Sequence, residues 1–189
     1  MLSEAPSLTK QEGGFALLCP VEVGFPRVDV QNLGSTFALH PETNDWYVHK
    51  GSLARVAGLD ALPQNIQSAL SMQRGENMFY PNAGMRFFEY FEDFRGSPYL
   101  GWLMTLDAVR EAAIPFTDTV MNTQHTPLQC VTRVRSFDLL SETPVNNRLP
   151  VRVKFEIQGL DPWERELSIY MPTKEQMIER AKLVAKRSL

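Results

Sequence analysis

Apolar and polar positions alternate most regularly near the end of the chain. Val151, Val153, Phe155 and Ile157 take turns with Arg152, Lys154, Glu156 and Gln158, a period of two that predicts a strand with one wet face. Gly159-Leu160-Asp161-Pro162 reads as a turn. Leu167, Ile169 and Met171 then alternate with Glu166, Ser168 and Tyr170 in a return strand. Leu128 to Leu140 enters the same sheet, joined through the loop Ser141 to Arg148, which makes a three-stranded antiparallel meander. Upstream the period lengthens. Leu62, Ile66, Ala69, Leu70 and Met72 approximate one face of a helix, with Pro63 in its first turn and Gly75 behind it to close it. In Arg86 to Phe94, Phe87, Tyr90, Phe91 and Phe94 share a helical face, with Glu89 and Asp93 off it. Tyr99 to Ile114 predicts a second long helix, with Leu100, Leu103, Met104, Leu106, Val109 and Ala113 on a broad apolar face and Pro115 as its stop. Thr173-Lys174-Glu175-Gln176 is a capping box, and a terminal helix follows it.

These elements predict an α+β fold: central helices packed on a small antiparallel three-stranded sheet, with a C-terminal helix. Residues 1–14, polar and Pro/Gly-containing, read as a flexible arm. Residues 15–189 read as a single domain, with the irregular stretch 116–127 as an insertion loop. Phe15 to Val23 is an apolar run broken by Pro20, which demotes it to an edge or bulge.

Composition narrows the class. The chain has 189 residues, 43% hydrophobic and 22% charged, enough to bury a core. A formal net charge of −3 argues against nucleic-acid binding, which favours a basic face. No apolar run approaches the ~20 residues that cross a bilayer, and the polar, acidic N-terminus does not resemble a signal peptide, so a cytoplasmic site of synthesis is expected. Cys19 and Cys130 either pair or stay as buried thiols, the latter being expected in a reducing compartment.

Chemistry is sparse. His40, His49 and His125 show no ligand spacing, no phosphate loop or nucleophile elbow occurs, and no metal or cofactor is expected. Glu89 and Asp93, like Asp107 and Glu111, stand four residues apart on expected helices, a spacing that normally marks a solvated face. Glu76 is the one plausible general acid; its alternative role is to accept backbone N–H groups in the turn that holds it.

The stretch from Asp45 to Met85 carries a resemblance. Gly58, Gln64, Ile66, Leu70, Arg74, Gly75, Glu76, Pro81 and Gly84 match a pattern of a helix opening with Gln, a closing Gly-Glu, and a Pro a few residues before a Gly. The chain here resembles the small "lysozyme-like" wedge proteins in the baseplates of contractile phage tails and related injection machines. The match covers residues 45–90 well and 128–171 more loosely. The family's Glu-Pro-Arg signature falls on Val131, Thr132 and Arg133, where the arginine alone agrees. The resemblance implies a non-enzymatic protein in the tail baseplate of a virion, made in the host cytoplasm. It further implies about six copies around the tail axis, bound to larger wedge proteins and to tail sheath subunits. It implies that an open sheet edge templates the sheath by strand addition. The strands Val151–Ile157 and Leu167–Met171 are the candidate edges, so Val153, Phe155 and Ile169 join Val131, Thr132 and Arg133 as expected partner-binding residues. Arg133 has the alternative of an arginine on the wet side of a strand. The rival functions are a peptidoglycan hydrolase with Glu76 as acid and a generic intracellular adaptor.

Overall fold

The computed structural model describes residues 5–11, 14–18, 27–40, 45–77, 80–118 and 122–187. In chain order these form β1 (Ser7–Gln11), β2 (Gly14–Leu18), β3 (Thr36–Phe37), β4 (Val48–His49), β5 (Ser52–Leu53), β6 (Arg55–Val56), α1 (Leu62–Ser71), α2 (Phe87–Phe94), α3 (Leu100–Ala113), β7 (Phe116–Asp118), β8 (Thr123–His125), β9 (Val131–Leu139), β10 (Arg148–Ile157), β11 (Leu160–Tyr170) and α4 (Lys174–Arg187). The expected architecture, central helices on one three-stranded sheet, is corrected. The described strands form five separate antiparallel sheets, four of them two-stranded. The four small sheets escape the hydrophobic pattern because six of their strands are two or three residues long, too short to display a period.

Two of these hairpins fall where irregular chain was expected. β1 lies inside the stretch 1–14 read as an arm and pairs with β2, which begins at its last residue and runs into the apolar stretch read as an edge; Leu8, Phe15 and Leu17 on this hairpin are exposed. β7 pairs with β8 inside the expected insertion loop, where Phe116 stacks edge-on against His125. Cys19 lies outside the described residues. Cys130 is a buried free thiol, and burial together with the Asp29 carboxylate pushes its pKa up to about 11, which keeps it unreactive.

The main core lies on one face of the sheet β11–β10–β9. β10 is its central strand, and Leu149, Val151, Val153, Phe155 and Ile157 are buried from it at every second position. Trp163, Leu167 and Ile169 from β11 and Val131 and Phe137 from β9 complete that face. α1 covers β11 and α3 covers β9. Each fully buried large side chain contributes about 1.5–3 kcal/mol. The opposite face is wet, and its charges pair across the strands: Arg152 with Glu166 at 2.6 Å, Lys154 with Glu164 at 3.4 Å, and Arg135 with Glu156. At α4, Thr173 and Gln176 make the reciprocal capping hydrogen bonds, 2.8 Å from the Thr173 N–H and 3.3 Å to its hydroxyl.

Candidate interaction site

The residues of the 58–84 pattern build a closed loop behind α1. Gln64 works at its far end: its side-chain amide donates to the Phe37 carbonyl (2.7 Å) and accepts from the Leu39 N–H (2.8 Å), tying α1 to β3 as another strand would. Gly58 donates its N–H to the Leu33 carbonyl (3.0 Å). After α1 the chain turns through Gly75 and comes back against itself. Arg74 donates to the Met85 carbonyl (2.9 Å) and Met85 to the Met72 carbonyl (2.7 Å). Glu76 accepts the Gln73 N–H at 2.5 Å, the turn role considered for it. Gly84, at φ +103°, is pressed so closely on the Gln73 backbone that a Cβ would lie 2.7 Å from its carbonyl carbon and oxygen. Pro81 is exposed on the loop's outer side.

α3 grips this loop from the other side with three charged residues. Asp107 and Glu111, expected on a solvated face, are 3% and 2% exposed. Asp107 accepts the Arg86 N–H at the start of α2 (2.5 Å), a negative group at a helix N-terminus. Arg110 bridges both acids, to Asp107 at 2.8 Å and Glu111 at 2.7 Å, and also donates to the carbonyls of Gly84 (2.5 Å) and Asn82 (3.3 Å). Burial raises the Glu111 pKa above the ordinary carboxylate range, against the opposing pull of Arg110 and of the nearby Gly84 backbone N–H. Glu111 and Arg110 also line a cleft of about 230 Å³ with Tyr80, Pro81, Pro115, Phe116 and Pro127. Sequence reasoning missed this cluster, because two acids around an arginine look the same on a wet helix.

Burying the acids turns α3's other side outward. Tyr99, Trp102, Leu106 and Val109, spaced along one helical stripe, are exposed, Trp102 by 70% and Leu106 by 63%. Leu106 and Val109 were expected in the core. Beside Trp102 runs a groove of about 380 Å³ between α3 and the β9 segment Arg135–Leu139.

The sheet's two rims are β9 and β11, and they differ. In an antiparallel ladder, alternate residues turn their backbone groups toward the neighbouring strand and the others turn them outward. Leu140 donates to the Pro150 carbonyl (3.0 Å). Asp138 and Ser136, in step with it, therefore face β10, and Phe137 and Leu139 turn their backbone groups to the rim. That rim opens into the groove beside α3, where the Thr105 hydroxyl stands 3.5 Å from the Phe137 carbonyl. On β11 the outward groups near the end of the strand are covered. Gln67 of α1 accepts the Ser168 N–H (3.5 Å) and Ser71 the Tyr170 N–H (3.0 Å), and Pro162 has no N–H to offer.

The expected partner-binding residues separate accordingly. Val153 and Phe155 are fully buried on the strand paired on both sides, and Ile169 and Val131 are fully buried on the same inner face; from there none of them can touch another chain. The stretch Val151–Ile157 is the sheet's centre and not a rim. Thr132 and Arg133 are exposed. Thr132 donates to the Glu156 carbonyl (3.1 Å). Arg133 stands opposite Glu156 in the ladder, whose carboxylate is held by the neighbouring Arg135. No family model matches the chain, and no curated protein or solved structure matches it. Among the described residues no group of acids, histidines and cysteines is arranged to hold a metal ion, and no helix is long and apolar enough to cross a membrane.

Proposed function

We propose that this chain is a non-enzymatic assembly protein, a wedge subunit of a contractile-tail baseplate. In this reading it binds the larger wedge proteins and accepts a strand from a tail sheath subunit. The observation that carries the reading is the difference between the rims: α1 covers the β11 rim at Ser168 and Tyr170, whereas Leu139 on β9 turns its backbone outward beside a groove flanked by the exposed Trp102. An incoming strand would add to β9 at Leu139, while Trp102 and Leu106 supply the apolar anchor that interfaces favour. This moves the receiving edge from the strands expected for it to β9.

The hydrolase reading fares less well on the same geometry. Glycoside hydrolysis needs a second carboxylate across the cleft from the acid. Glu76 is engaged by its own turn, and Glu111 is the single acid among the described residues that line its cleft.

The test uses Trp102→Asp with Leu106→Asp, both on exposed positions, and separately Leu139→Pro, which removes one outward N–H. The folded protein is expected to keep its far-ultraviolet circular dichroism. Co-purification with wedge partners should fall at least about tenfold for the aspartate pair, the loss of a burial worth ~1.4 kcal/mol or more, and sheath growth should fail for Leu139→Pro. Normal wedge assembly and full-length sheath on these variants would refute the reading. Clearing of purified cell wall by the wild type, lost in Glu76→Gln or Glu111→Gln, would install the hydrolase in its place.

A further inference from the structure

We propose that the cleft beside Glu111 is a binding site for a cationic side chain, a lysine or arginine supplied by a partner protein. Three observations meet there. The first is an unanswered atom: Glu111 is 2% exposed and its Oε1 is held by Arg110, while its Oε2 has no hydrogen-bond partner among the described residues. Buried polar atoms are rarely left so. The second is charge. Asp107 and Glu111 share one arginine, so two carboxylates face one guanidinium and the ionised cluster carries a net −1. A single further cation balances it; an anion would add to it. Arg110 has little left for an anion, since Asp107, Glu111 and the carbonyls of Asn82 and Gly84 take four of its five N–H donors.

The third observation is the wall. Tyr80 and Phe116 stand with ring centroids 4.2 Å apart, and with prolines 81, 115 and 127 they line the cleft. Aromatic faces attract a cation, more strongly where water is excluded. A methylene stem against the prolines with its charged head toward Glu111 fits a volume of about 230 Å³. Burial raises the Glu111 pKa although Arg110 pulls it down, and a second cation beside Oε2 would offset more of that burial. The inference rests on the assembly reading only in assigning the occupant to a partner chain. The site itself is tested without one.

The ¹⁵N-labelled full chain is titrated with a backbone-capped lysine, with its neutral Nε-acetyl form, and with putrescine. The capped lysine is expected to shift the amide resonances of Tyr80, Gly84 and Phe116 saturably, and the neutral form to bind about tenfold more weakly, as loss of a charge-assisted hydrogen bond requires. Glu111→Gln should bring the capped lysine down to the neutral level. Phe116→Leu, which leaves the buried acids alone, should weaken binding several-fold and serves if Glu111→Gln does not fold. No saturable shift, or equal affinity for charged and neutral lysine, overturns the site. Tighter binding of putrescine than of capped lysine overturns the assignment to a protein side chain. None of these results depends on tail assembly, so failure here and failure of the assembly reading are told apart.

Discussion

Helices α2 and α3 carry the same acidic spacing and treat it in opposite ways. On α2, Glu89 and Asp93 are exposed, and Glu89 closes a surface ion pair with Arg86 at 2.6 Å. On α3, Asp107 and Glu111 are almost fully buried and hold a neighbouring loop in place. Spacing puts two carboxylates on one side of a helix in both cases. It does not say whether that side meets water or protein. What separates the pairs is Arg110: its planar fork reaches both acids and two backbone carbonyls at once, so a charged strip can be buried where Asn82–Arg86 supplies backbone donors and acceptors.

Arg110→Ala breaks this contrast most severely. Two buried acids would lose their one shared cation, at a cost of about 3–5 kcal/mol in urea unfolding; a loss under about 1 kcal/mol would mean that the cluster does not depend on the arginine. Gly84→Ala comes next. The backbone there sits at φ +103° against Gln73, so a methyl group must push the closed loop open, at about 3 kcal/mol, seen as a fall in thermal midpoint.

A subtler probe is the pH dependence of Glu111→Gln. Burial raises the folded pKa of Glu111, so the folded protein holds this proton more tightly than the unfolded chain. The group's stabilising contribution is complete below the unfolded glutamate value of about 4.3 and is lost as pH rises through the folded value. Glutamine stays neutral throughout. The variant should compare worst with the wild type near pH 4, gain on it as the pH rises through the folded value of Glu111 and level off above it, in thermal midpoints measured across that range; parallel curves would place Glu111 in a water-like setting. Smallest of all is Glu89→Gln on α2, expected within about 0.5 kcal/mol of the wild type, and a larger loss would erase the distinction between the helices.

The exposed side of α3 belongs to the same contrast. Its apolar stripe was expected inside, yet Leu106 and Val109 are outside and Asp107 and Glu111 inside. A helix with apolar residues on more than one side has several candidate inner faces, and periodicity alone does not choose among them. The small hairpins were equally hard to read. β4 and β5 are joined by Lys50 and Gly51 at φ +50° and +80°, a tight turn of the kind Asn-Gly usually announces, but lysine in its first place gives no warning.

The sequence by itself determined what depends on neighbours along the chain. The alternation of β10 and the capping box at Thr173 follow from local sterics and local hydrogen bonds; Gly75, expected to close α1, instead turns the chain at φ +84° after the helix has already ended at its extended C-cap Met72. The turn role of Glu76 was legible for the same reason, since its partner is three residues away. Tertiary structure decided everything that needed a distant surface: which strand of the meander is central, which rim α1 covers, and which side of α3 faces inward. Those outcomes depend on the total burial and hydrogen bonding of segments twenty to a hundred residues apart, such as Ser71 with Tyr170 and Arg110 with Gly84, and no local pattern encodes that sum.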